Sequence, residues 1–219
     1  MDKTGSLEKK FEGILHVTDH PIVQSKMTIL RDKNTRTKEF RELVAEITAF
    51  ISYEATRDAK LLATTVETPV AKAEGFKCQQ DFALIPILRA GLGMVEGASN
   101  MLPTAKIGHI GMYRDPDTLQ PVEYYAKLPA QIESLEVLLL DPMLATGRTA
   151  EASISYLKRA GAQKIKLLCL VAVKEGVEEI LKNHPDVNIY TAAFDSELND
   201  HGYIVPGLGD AGDRLFGTK

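Results

Sequence analysis

The sequence predicts an α/β fold, a mostly parallel twisted sheet flanked by helices. Three observations predict it. Apolar runs at 82–88, 136–140, 165–173 and 187–194 alternate with segments of helical periodicity, as strands joined by helical crossovers do. The run at 137–140 is apolar at every position rather than at every second residue, which suits a parallel strand covered on both faces. Three strands also end in chemically equipped residues: Arg89 with Gly91 and Gly93, Arg114, and Asp141 ahead of Thr146-Gly147. In open parallel sheets ligands bind beyond the carboxyl ends of the strands, so these groups are expected to converge.

The 219 residues suit one domain over 1–219, with a polar N-terminal extension at 1–20 and a ligand-reading loop and C-terminus at 198–219. Composition is that of a globular chain, 44% hydrophobic and 26% charged. A net charge of −4 argues against general nucleic-acid binding, which needs a basic surface. No apolar run has the length of a membrane span, and the first ten residues lack the apolar core of a secretion signal. Cys78 and Cys169 stand far apart and match no zinc spacing, so reduced thiols and a cytoplasmic setting are expected, with Cys169 buried.

Along the chain, residues 22–30 read as a short helix or packed arm. Thr37–Ala55 is the clearest helix: Phe40, Leu43, Val44, Ile47 and Ile51 share one face, with Thr37 as the expected N-cap. Residues 61–77 read as irregular strands. A strand at 82–88 is followed by a helix to about Asn100, then by a strand at 106–112. Residues 116–129, with three prolines and Tyr124-Tyr125, read as a flap or hairpin. The strand at 136–140 leads to a helix from Thr149 to about Ala160, closed by Gly161. A strand, a helix at 176–183 and a last strand follow, ahead of a glycine-rich tail. Among the histidines, His109 reads as a core residue within its strand, while His16, His20 and His184 stand in polar surroundings.

Val137–Thr149 carries the strongest chemical signal. An apolar strand runs into Asp141, a short turn and a helix start, so free N–H groups from Thr146 to Thr149 face whatever lies ahead of the helix. Such a terminus favours a phosphate, and the acid beside it can accept hydrogen bonds from a sugar diol. Many α/β turns share these residues without binding anything. It is not a Walker A loop, because Pro142 stands where the first glycine should be. The Arg89-Ala90-Gly91-Leu92-Gly93 turn can fork an arginine onto a diphosphate, or be a tight turn with a surface arginine. Residues 201–213 are rich in glycine yet carry Tyr203, Ile204, Val205 and Leu208. That composition suits a rigid loop offering backbone groups to the edge of a flat heterocycle.

Taken together these stretches resemble the type I phosphoribosyltransferases, in the uracil phosphoribosyltransferase form. Asp141-Pro142-Met143-Leu144-Ala145-Thr146-Gly147 resembles the family's phosphoribosyl-pyrophosphate (PRPP) loop. The stretches 86–94, 111–114 and 202–213 resemble family motifs in the same order. The resemblance implies that Arg89 and Arg114 contact the donor's diphosphate. It assigns Asp141, Pro142, Met143, Leu144, Ala145, Thr146, Gly147, Arg148 and Thr149 to the ribose and 5′-phosphate, and Ile204, Gly209, Asp210 and Ala211 to uracil. Arg89, Arg114 and Asp210 are the expected catalytic residues, with Asp210 also facing donor and Mg²⁺, the metal being held mainly by the diphosphate. The implied reaction gives uridine monophosphate and pyrophosphate. The implied partners are small molecules, with no nucleic acid or membrane, in a homodimer or homotetramer; activation by GTP is left open. The family pattern has glycine where this chain has Arg148. Two rivals are a nucleotide-sensing RNA-binding regulator, disfavoured by the acidic charge, and a purine transferase, disfavoured by the narrow loop at 202–213.

Overall fold

A computed structural model of the chain describes residues 11–114 and 121–218, leaving the side chains of Arg114 and Pro121 undescribed. In chain order the elements are β1 (Leu15–Val17), α1 (Pro21–Arg31), α2 (Thr37–Ala55), β2 (Leu61–Glu67), β3 (Lys72–Cys78), β4 (Phe82–Leu88), α3 (Leu92–Met101), β5 (Lys106–Ile107), β6 (His109–Arg114) and β7 (Pro121–Lys127). A short 3-10 turn at Ile132–Ser134 precedes β8 (Glu136–Leu140) and β9 (Met143–Leu144). Next come α4 (Arg148–Arg159), β10 (Lys164–Val173), α5 (Lys174–Asn183), β11 (Asn188–Asp195), β12 (Glu197–Leu198), β13 (Ile204–Val205) and α6 (Ala211–Phe216).

The main sheet runs β1-β11-β10-β8-β4-β6-β7, with β5 added to β4 and β9 to β10. Its pairs are parallel, apart from the antiparallel β6–β7 pair at one edge. Strand order follows from two apolar faces. Leu138 and Leu140 pack with Phe40, Val44, Ile47 and Met94 from α2 and α3. Val137 and Leu139 pack with Ile154, Leu157, Val177 and Ile180 from α4 and α5. All four residues of β8 from Val137 on are fully buried, which is why all four are apolar. From β4 the chain passes to β6 on one side and later returns to β8 on the other. The crevice at that reversal, beyond the ends of β4 and β8, is where such sheets bind ligands.

Several expectations are corrected. The polar extension does not reach residue 20: Phe11 and Leu15 are buried, and Leu15–Val17 pairs with β11 as an edge strand. A three-residue edge strand needs too few apolar residues to show in a polar stretch. Arg36, not Thr37, is the N-cap of α2, and it caps without a side-chain bond. Residues 61–78 form a regular antiparallel hairpin, paired from Leu61↔Cys78 to Glu67↔Lys72. The strand expected at 106–112 breaks at Gly108, where an added Cβ would lie 2.7 Å from the Lys127 carbonyl oxygen. Residues 121–127 make the hairpin expected after Arg114, and 115–120 lie outside the described residues. His109 is only half-buried.

Candidate active site

Asp141 follows the last residue of β8, where its N–H donates to the Leu168 carbonyl at 3.1 Å. Its carboxyl is ringed by protein, and this burial pushes it up to about 6, while the Met143 N–H, 3.5 Å away, pulls only weakly the other way. The Pro142 carbonyl accepts from the Leu170 and Val171 N–H groups, so the loop after Asp141 stays laced to β10. Gly147 then turns the chain at φ +78°, a left-handed conformation that a side chain disfavours. It caps α4, and Arg148 opens the helix in ordinary helical geometry. The non-glycine residue therefore sits one place beyond the strained position.

The first bond inside α4 runs from the Glu151 N–H to the Gly147 carbonyl at 2.8 Å. The N–H groups of Arg148, Thr149 and Ala150 thus have no partner within the helix, and the helix dipole adds to their pull on an anion. Arg148 is exposed at this mouth, and its guanidinium makes no hydrogen bond or ion pair among the described residues.

The turn after β4 is pressed against this loop. A Cβ at Gly91 would collide with the Leu140 carbonyl oxygen and lie 2.7 Å from that of Ile87. Only a bare backbone fits there, which lets the turn after Arg89 close against the end of β8. The Leu88–Arg89 peptide is cis. The exposed Arg89 guanidinium stacks over the Phe216 ring, 5.7 Å from its centroid. The same turn meets α6 again where a Cβ on Gly212 would lie 3.9 Å from Ala90 Cβ. Three of the four sequence motifs therefore meet at one place. The fourth, Arg114, ends β6 two strands from β8, and its side chain lies outside the described residues.

The loop at 196–210 is rigid for reasons invisible in its own sequence. Arg31 donates both terminal nitrogens to the Asp195 carboxylate, each at 2.7 Å, and also reaches the Gly207 carbonyl at 2.7 Å. The Gly207 N–H returns to Asp195 at 2.8 Å. Arg214 holds the Leu208 carbonyl at 2.8 Å and the Asp32 carbonyl at 2.6 Å while stacking on Phe40. Ile204, Leu208 and Ala211 turn their side chains into the core, so any ligand edge here meets backbone. Gly209 and Asp210 are exposed. Asp210 accepts the Asp213 N–H at 2.9 Å as the cap of α6, which commits one carboxylate oxygen. A cavity of about 500 Å³ lined by Lys33, Arg36, Gly209, Asp210 and Arg214 adjoins this loop.

Arg31, Asp195 and Arg214 escaped sequence reasoning. Arg31 and Asp195 are 164 residues apart, and no local pattern links them. His184 also differs from expectation: it is buried, with Ser155 Oγ and Glu151 Oε1 at 3.2 and 3.3 Å from the same ring nitrogen. Because both sit on Nε2, the group cannot relay a proton from one partner through the ring to the other. Its effect is to tie α4 to the end of α5. No group of three or more His, Cys, Asp or Glu side chains among the described residues could hold a metal ion.

The profile of the family described as "Uracil phosphoribosyltransferase" matches residues 17–218. The chain belongs to the uracil phosphoribosyltransferase family. It is thereby one of the pentosyltransferase enzymes. Relatives named uracil phosphoribosyltransferase from Bacillus cytotoxicus and Bacillus cereus are 59% and 58% identical over 208 residues, 94% of this chain and all of each relative. The solved AQ2163 protein of Aquifex aeolicus superposes with a TM-score of 0.89 at 34% identity, covering 94% of this chain and 99% of that one. A hypoxanthine-guanine phosphoribosyltransferase of Bacillus anthracis, 11% identical with a TM-score of 0.51 over 73% of this chain and 80% of its own, shares the fold. The mostly parallel sheet flanked by helices is thus the type I phosphoribosyltransferase fold.

Proposed function

We propose that the protein transfers the 5-phosphoribosyl group of PRPP to uracil, giving uridine monophosphate and pyrophosphate. The observation that carries this is the meeting of the Asp141–Thr149 loop, the Arg89 turn and the 202–213 loop at the sheet's reversal point, in a chain of this family.

The α4 N-terminus holds the 5′-phosphate as a remote handle, and Asp141 accepts from the ribose hydroxyls. Binding energy from these non-reacting groups then fixes the reacting carbon. Arg89 and Arg114 face the diphosphate and stabilise the charge that gathers on it as it leaves. The peptide groups around Ile204, Gly209 and Ala211 read uracil by its edge. Asp210 stands between base and donor. Asp210, with one carboxylate oxygen committed to the Asp213 N–H and the other uncommitted, is the residue that would help hold Mg²⁺ brought in with the donor diphosphate. When bound, the metal supplies charge neutralisation on the leaving group. No protein nucleophile takes part in this scheme.

Salvage of pyrimidine bases in the cytoplasm is the setting this activity suits, and no helix among the described residues is long and apolar enough to cross a membrane. The protruding β2–β3 hairpin supports a homodimer or larger homo-oligomer. Activation by GTP is a further arm of the same assay. The test is production of uridine monophosphate from uracil and PRPP with and without Mg²⁺, and with hypoxanthine and adenine as alternative acceptors. Turnover with uracil alone, abolished by chelation, is expected. No product at saturating substrates, or preference for a purine, overturns the proposal.

A further inference from the structure

We infer that Gly176, the third residue of α5, is a positioning residue for the donor's 5′-phosphate cradle, acting through the loop without touching the ligand; this rests on the function proposed above. A Cβ at Gly176 would lie 2.6 Å from the Ala145 carbonyl oxygen, 2.7 Å from that of Leu144 and 2.9 Å from Leu144 Cγ. From the other side, a Cβ at Gly147 would lie 2.8 Å from the Gly176 carbonyl oxygen and 2.9 Å from Glu179 Cβ. Loop and helix therefore meet backbone to backbone, through two glycines 29 residues apart, with no room for a methyl group on either.

Together with the β9–β10 pairing, which sets Leu144 opposite Ala172, this contact fixes which way the loop's peptide groups face. The peptides involved are trans, so in each plane the C=O and the following N–H point in opposite directions. The carbonyls of Leu144 and Ala145 are turned onto Gly176, and the N–H groups of Ala145 and Thr146 consequently face away from α5. Carbonyl oxygens would repel a phosphate, and here they are packed against the helix. The N–H groups are left free for the anion, ahead of those at the start of α4. A side chain at 176 must push the two carbonyls, rotate their peptide planes and re-aim the donors. The adjoining Val177 is fully buried in the same apolar cluster as Leu144, so truncating it perturbs the packing beneath the loop without placing a new atom against the two carbonyls.

The test compares Gly176→Ala with the unaltered protein, using ribose 5-phosphate to probe the cradle and inorganic pyrophosphate to probe the arginine side. Calorimetric binding of ribose 5-phosphate is expected to weaken at least tenfold, and the PRPP KM to rise in parallel. Pyrophosphate binding and the uracil KM should stay within twofold. Val177→Ala should lower the melting temperature while leaving all four quantities within twofold. Hydrogen exchange on the unaltered protein gives an arm that needs no variant: ribose 5-phosphate should protect amides at 174–178 as well as at 143–149. Equal losses at both subsites, unchanged ribose 5-phosphate affinity in folded Gly176→Ala, or protection confined to 143–149 would overturn the role of Gly176 alone. Failure of the unaltered protein to bind ribose 5-phosphate overturns the proposed function as well.

Discussion

Asp141 is in tension with its surroundings, and the tension is measurable. Burial raises its carboxyl to about 6, so the folded chain holds this proton over a pH range where the unfolded chain has released it. The resulting stabilisation is fully present below the usual carboxylate range and is lost as pH rises through about 6. Above that the ionised, desolvated carboxylate costs up to about 3 kcal/mol, because each tenfold change in proton affinity is worth about 1.4 kcal/mol. Asp141→Asn should therefore unfold at higher urea than the parent at pH 8, with the difference closing by about pH 4. The same variant should lose most donor affinity, because ribose hydroxyls need a charged acceptor. In the parent, kcat/KM for PRPP should climb with pH through a midpoint near 6, since that ratio reports the free enzyme. A flat profile between pH 5 and 7 would remove Asp141 from the donor site. Arg148 poses the opposite case, an exposed cation without a partner at the cradle's mouth. Its attraction for a phosphate is screened, so Arg148→Gly should weaken donor binding about two- to fivefold at low salt and not at all near about 0.5 M. Weakening that persists at high salt would mean a direct, desolvated contact.

At the scale of elements, the central strands and their helices were legible because each carries its own signal. β4, β8 from Val137 on and β10 from Leu167 on are unbroken apolar runs, and α2 shows its buried face at helical spacing. What was illegible depends on distant partners. β1 exists because β11 offers it an edge, and three residues cannot announce that alone. The stiffness of the 196–210 loop comes from Arg31, one residue beyond the stretch that the sequence showed as a short helix or packed arm. The contact between Gly147 and Gly176 likewise appears only once α5 is laid beside the loop. For the Arg31 clamp the energetic asymmetry is clear. Asp195 is 6% exposed, and removing its partner leaves a buried charge bonded to one N–H. Arg31→Ala should cost about 3 kcal/mol or more in stability and raise the uracil KM more than the PRPP KM. Asp195→Asn, which leaves no uncompensated carboxylate, should cost less. A rise confined to the PRPP KM would mean that the loop held by Arg31 does not read the base.

For the whole molecule, the β2–β3 hairpin does not fit a lone protomer. Its seven-residue strands pair with each other over their full length, yet Leu61, Leu62, Val66, Val70 and Phe76 are all exposed, Val70 at 94% and Phe76 at 69%. An isolated two-stranded ribbon is marginal in water, and exposed apolar surface on this scale marks an interaction site. Exposed apolar residues of α1 and α2, Ile22, Ile29, Phe50 and Tyr53, add to the apolar area open to association. A second copy of the chain is the partner consistent with the homo-oligomer expected of the family. Phe76→Glu combined with Val66→Glu should therefore yield a monomer in sedimentation velocity, since two buried charges at an interface cost far more than the apolar contacts they replace. The main sheet and its helices make no use of the hairpin for their own cores, so the variant should keep its secondary structure. Its activity then tells whether the assembly matters to the site. A folded, monomeric variant with unchanged kinetics would make the hairpin an assembly device only, whereas a variant that remains oligomeric would place the interface elsewhere on the molecule.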